Sequence, residues 1–227
     1  MDRRTRIAGI AALDQPVRAD LYAVLADRDG WVGRDEAAEA AGVPRSVAAF
    51  HLDKLVEAGL VETRFERPPG RTGPGAGRPA KKYRRAEAEV AVSLPDRRYD
   101  LAGALLADAV AESEQNGRPV AAALANAAKA TGRELGASLR STPTIEALEQ
   151  LGYEPHEREG DVVLANCPFH ALAERHRTLV CGMNLDLLTG LTEGLESDEA
   201  MVPRLEPAEG MCCVRLRGST RGLADQR

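Results

Sequence analysis

His51-Leu52-Asp53-Lys54-Leu55-Val56-Glu57-Ala58-Gly59-Leu60-Val61 is the stretch whose reading decides the fold. Leu52, Leu55 and Val56 keep a helical spacing until Gly59 ends it, and Leu60-Val61-Glu62-Thr63-Arg64-Phe65 then alternates apolar and polar residues as a strand does. Upstream, Gly42-Val43-Pro44 is a compact turn, and Pro44 fits the first position of the helix. The apolar set is Val47, Phe50, Leu52, Leu55 and Val56, and packing through Val47, Leu52 and Leu55 leaves Arg45, Ser46, Ala49, His51 and Lys54 on or near the outer face. Before the turn, Glu36 to Ala41 is Ala-rich and helix-favouring. Asp14 to Ala26 forms an earlier amphipathic helix through Val17, Leu21, Val24 and Leu25, broken at Asp29-Gly30. Helix, glycine turn, helix is the helix-turn-helix plan.

Downstream, residues 66–79 are too rich in Gly and Pro for a helix or an interior strand, and Ala80-Lys81-Lys82-Tyr83-Arg84-Arg85 returns as a second strand. The segment reads as a hairpin with a long basic tip. Residues 64–85 hold eight Lys and Arg against the single acid Glu66. Such a patch is the electrostatic footprint of an element that contacts phosphates, and small, polar and basic residues on the preceding helix suit the major groove. The net charge of −5 over 227 residues hides this, because residues 1–85 carry 16 basic and 12 acidic side chains and residues 86–227 carry 14 and 23. The Gly-rich stretch lacks a Gly-Lys-Ser/Thr ending and no helix follows it, which excludes a nucleotide-binding loop.

The quoted stretch, together with Gly77-Arg78-Pro79-Ala80-Lys81-Lys82-Tyr83-Arg84, resembles the winged-helix DNA-binding domain of ArsR-type bacterial repressors over residues 14–85. The resemblance implies that Arg45, Ser46, Ala49, His51 and Lys54 face the major groove of a double-stranded operator. By the same resemblance Arg78, Lys81 and Lys82 of the wing lie along the adjacent backbone or minor groove.

Beyond residue 90 the pattern changes. Leu101, Leu105, Ala109 and Val110 mark a helix over 98–115, and Pro119 opens an Ala-rich helix to about Leu139 whose small side chains allow close helix approach. This region, 91–142, is expected to link the halves and to contribute to a homodimer interface. Residues 143–227 read as a small sensor domain: a helix over 144–151, a strand at Asp161–Asn166, a helix through Ala171–His176, a longer one through Leu179 to Leu191, and strands near Met201–Leu205 and Cys212–Leu216. The fold class is therefore α+β, with a winged helix-turn-helix over 1–90.

All four cysteines, Cys167, Cys181, Cys212 and Cys213, lie in the last third. With His170 they suggest metal or redox chemistry rather than disulfides, and three thiolates plus an imidazole suit tetrahedral zinc as well as an iron-sulfur cluster. Strand alternation allows only one of Cys212 and Cys213 to point at a given site. Asn166-Cys167-Pro168-Phe169-His170, Cys181 and Gly210-Met211-Cys212-Cys213 are similar to the sensor half of SufR-like regulators. That similarity implies a cluster held by Cys167, Cys181 and either Cys212 or Cys213. A small organic effector without metal is the alternative trigger. Cys167-Pro168-Phe169-His170 also resembles a redox-active Cys-x-x-Cys with its second thiol replaced, but no acid-base set accompanies it, so no enzyme is expected. No apolar run approaches the roughly 20 residues that span a bilayer, and the N-terminus has no apolar targeting core, so a cytoplasmic location is expected.

Overall fold

The computed structural model describes residues 3–67, 79–197 and 201–218, and the chain divides into two compact units, Met1–Val92 and Ser93–Arg227. The first unit begins with helices α1 (Arg3–Ala12) and α2 (Pro16–Ala26), followed by strand β1 (Val32–Gly33). Helices α3 (Arg34–Ala40) and α4 (Arg45–Glu57) come next, then strands β2 (Val61–Glu66) and β3 (Ala80–Arg85). Gln15 caps α2, its side chain accepting from the Arg18 amide at 2.8 Å, and Pro16 supplies the preset first turn. Pro44 caps α4 with extended backbone, one position earlier than the sequence pattern placed it. Helix α1 has no counterpart in the sequence reading, which starts its first helix at Asp14.

The three strands form an antiparallel sheet of order β1-β3-β2, with Thr63 opposite Tyr83 and Val32 opposite the same tyrosine. Leu21, Leu25, Val32, Leu52, Leu55, Val61 and Tyr83 build the core beneath it. Leu52 and Leu55 are buried as expected, while Phe50, apolar but outside the expected packing set, is 58% exposed. The buried stripe of α4 is Ala48, Leu52 and Leu55, spaced i, i+4, i+7, and at 100° per residue Phe50 stands nearly opposite it. Val47 and Val56 are only half-buried at the stripe's margins.

The second unit opens with α5 (Tyr99–Asn116), α6 (Val120–Ser138) and α7 (Thr144–Gln150), then β4 (Pro155–Arg158) and β5 (Asp161–Leu164). It continues with α8 (His170–Arg175), α9 (Arg177–Leu195), β6 (Met201–Leu205) and β7 (Val214–Gly218). The antiparallel sheet order is β4-β5-β7-β6. Leu105, Ala109 and Leu124 share one core with Leu148, Leu164, Phe169 and Leu187, so the helices of 91–142 and the sheet form one body where the sequence reading divides the chain at 142.

The close approach promised by the Ala-rich helix is made within the chain, against α9. A methyl group added to Gly132 or Gly136 would overlap the carbonyl oxygen of Leu187 or Leu191, and one on Gly190 or Gly194 that of Lys129 or Arg133. The two backbones therefore touch. Glu193 bridges the crossing, 2.7 Å from both Lys129 and Arg133.

Candidate nucleic-acid interface and cysteine-lined cavity

Helix α4 ends at Glu57, two residues before Gly59 turns the chain into β2, and β3 returns against it, so the helix and the hairpin are held in one unit. Their connection runs through Asp53. Its Oδ1 accepts from Lys81 Nζ at 2.6 Å and from the Tyr83 hydroxyl at 3.1 Å, and that hydroxyl accepts from Arg34 at 3.2 Å. Burial pushes the Asp53 pKa up, but the hydrogen bonds from Lys81 and Tyr83 outweigh it and the net displacement is downward. Tyr83 is fully buried, so its ring fixes the strand while its hydroxyl fixes the helix. At the hairpin base the guanidinium groups of Arg64 and Arg84 lie 4.7 and 4.9 Å from the centre of the Trp31 ring.

The expected groove residues fall into distinct settings. Arg45 and Ser46 are exposed at the start of α4, Arg45 ion-paired with Asp35, and Ala49 is half-buried beside them. Lys54 Nζ is 2.6 Å from Glu57, and the half-buried His51 keeps Nδ1 buried without a hydrogen bond among the described residues. Lys82 makes no ion pair among the described residues, whereas Lys81 is committed to Asp53. Arg78 lies outside the described residues. Sequence reasoning missed Arg34, Asp53 and Tyr83 as the brace between helix and wing; the shared strand face of Lys81 and Tyr83 was the available signal.

In the second unit, all four cysteines line one cavity of about 670 Å³, together with His170 and Arg97. Cys167 follows the end of β5 in a turn closed by the His170 amide on the Cys167 carbonyl at 3.1 Å. Asn166 anchors that turn, donating to the Gly152 carbonyl at 2.7 Å and the Asp96 carbonyl at 3.0 Å. Cys181 sits in the second turn of α9. Cys212 is tied to β5 by its amide on the Leu164 carbonyl at 2.8 Å, and its sulfur accepts from Asn184 at 3.2 Å; Asn184 in turn accepts from the Tyr153 hydroxyl.

Two expectations about these cysteines are corrected. Cys212 and Cys213 precede β7, which starts at Val214, so strand alternation does not govern them and both reach the cavity. Cys181 and Cys213 are joined by a disulfide, their Cα atoms 6.3 Å apart, while Cys167 and Cys212 are free thiols. The hydrogen bond from Cys212 lowers the Cys167 pKa to about 7 against the opposing effect of burial, and the same contact with burial pushes Cys212 up. His170 stands exposed, 3.4 Å from Glu174. With the disulfide closed, no group of three or more His, Cys, Asp or Glu side chains among the described residues is arranged to hold a metal ion. The four cysteines nonetheless come from three separate segments to line this single cavity.

Residues 13–64, from the approach to α2 into β2, match the family model described as a helix-turn-helix domain. No curated protein and no solved structure matches the chain. The N-terminal unit thus carries a helix-turn-helix domain of the kind found in DNA-binding transcriptional regulators, which points to regulation rather than catalysis. Among the described residues, no helix is long and apolar enough to cross a membrane.

Proposed function

We propose that the protein is a homodimeric transcriptional repressor that binds a double-stranded DNA operator through α4 and the basic wing, with an affinity set by the state of the cysteine cavity. The observation that carries the sensing half is the convergence of Cys167, Cys181, Cys212 and Cys213 on one cavity in a chain that also bears a helix-turn-helix domain. Reduction of the Cys181–Cys213 disulfide by a dithiol, with two electrons and two protons, gives four thiols around that space. Deprotonated, they are the ligand set of an iron-sulfur cluster, or of zinc in a structural role. A bound cluster would supply a redox- and iron-sensitive centre. Cys167 and Cys212, buried and fixed by the Asn166 turn and by Asn184, form the preset half of the site. Cys181 and Cys213 form the half that opens by reduction.

Anaerobic purification with a visible spectrum and iron, sulfide and zinc analysis of the same sample tests this reading. Broad visible absorbance with iron and sulfide supports the cluster. One zinc per chain makes the cysteines structural. Colourless, metal-free protein overturns the metal reading and leaves the cavity, whose volume suits a small molecule, to an organic effector.

A further inference from the structure

We propose that Phe50 is a sequence-reading residue of the recognition helix, packing on the 5-methyl group of a thymine in the major groove; this rests on the DNA-binding reading above. A phenylalanine side chain is worth roughly 1.5–3 kcal/mol when buried, and the core of this unit leaves this one 58% exposed. It stands on the face of α4 opposite Ala48, Leu52 and Leu55, next to the exposed Ser46 and half-buried Ala49, whose small side chains allow close approach of a base edge.

The ring is not loose. It meets the His51 ring edge-on, with centroids 5.1 Å apart at 79°, and Lys54 Nζ lies 6.0 Å from its centre. Lys54, ion-paired with Glu57, neighbours it on the helix, and the same unit carries on β3 Lys82, which makes no ion pair among the described residues. An apolar tip on a unit with a basic excess, 16 basic against 12 acidic side chains over residues 1–85, matches a groove floor between two phosphate backbones better than it matches an apolar protein surface.

A phenyl ring has no donor or acceptor, so it gains nothing from the polar edges of guanine, adenine or cytosine, and it strips water from them on contact. Thymine alone presents a methyl group in the major groove of unmodified DNA. Phe50 therefore discriminates for thymine by apolar contact and against cytosine by desolvation of its amino group.

The test begins with the full chain selecting duplexes from a random pool. If no sequence is enriched, the DNA-binding reading itself fails, and this inference with it. With an enriched site in hand, each thymine is replaced in turn by deoxyuridine, which removes only the methyl group. At least one replacement is expected to weaken wild-type binding about 3- to 5-fold. Phe50→Ala is expected to bind roughly tenfold more weakly and to lose its response to that same replacement, with an unchanged melting temperature, while Phe50→Leu keeps the response. The inference is overturned if the wild type ignores every replacement, or if Phe50→Ala keeps the full response or the full affinity on an enriched site.

Discussion

Asp53 does more for the N-terminal unit than its position on a helix surface would suggest, because it gathers Lys81 and Tyr83 onto one carboxylate oxygen. Its pKa is depressed in the folded state, so the stabilisation is present above the unfolded carboxylate value of about 3.9 and is lost as pH falls through the lower folded value. Asp53→Asn is expected to lower the melting temperature at neutral pH and to converge with wild type as the buffer approaches pH 2, read by thermal melts across that range. The same variant loosens the wing from α4 and should weaken DNA binding several-fold. A second outcome separates the two wing lysines. Lys82→Ala should reduce the slope of log affinity against log salt by about 0.9, as one lost phosphate contact does. Lys81→Ala should change it by less than half as much, since Asp53 already compensates that charge. Sequence composition showed a basic wing but gave both lysines the same role, because a cross-element ion pair 28 positions apart leaves no mark in local spacing.

At the scale of elements, α6 and α9 are joined by glycines that bring backbone onto backbone. Gly132→Ala or Gly190→Ala forces a methyl into an occupied carbonyl and is expected to cost roughly 3 kcal/mol or more, about 10 °C in melting temperature. Gly103→Ala, on the exposed face of α5 with open space around it, is expected to stabilise by about 0.5–1 kcal/mol. Thermal melts of the three variants check the contrast. Most helices and strands of both units were legible from apolar spacing and from Gly and Pro, α1 excepted, but local rules fell short on α4 and at the cysteines. On α4 the packing expected of Val47 falls instead to the small Ala48, which apolar size does not single out. Strand alternation does not apply to Cys212 and Cys213, because β7 starts two residues later than the sequence pattern places it, and both residues of the irregular segment before Val214 line the cavity. The small residues of α6 gave the close approach but not its partner, since spacing in one helix cannot name the helix that meets it.

Over the whole molecule, charge and chemistry are segregated. A basic excess sits in residues 1–85, and an acidic excess with every cysteine sits in residues 86–227. That the two halves differ in charge and in cysteine content was therefore plain in the sequence. How the cysteines are joined was not, because three chain segments have to converge before any pairing exists. If the cavity governs DNA affinity, ligation and operator binding must be linked by one coupling free energy, whichever is varied. The direct measurement is the affinity of the full chain for its pool-selected duplex at fixed salt, anaerobically purified and loaded with iron and sulfide, and again after chelation. The account predicts at least a tenfold difference between the two states that disappears in Cys167→Ser; equal affinity in both states of the wild type would contradict it.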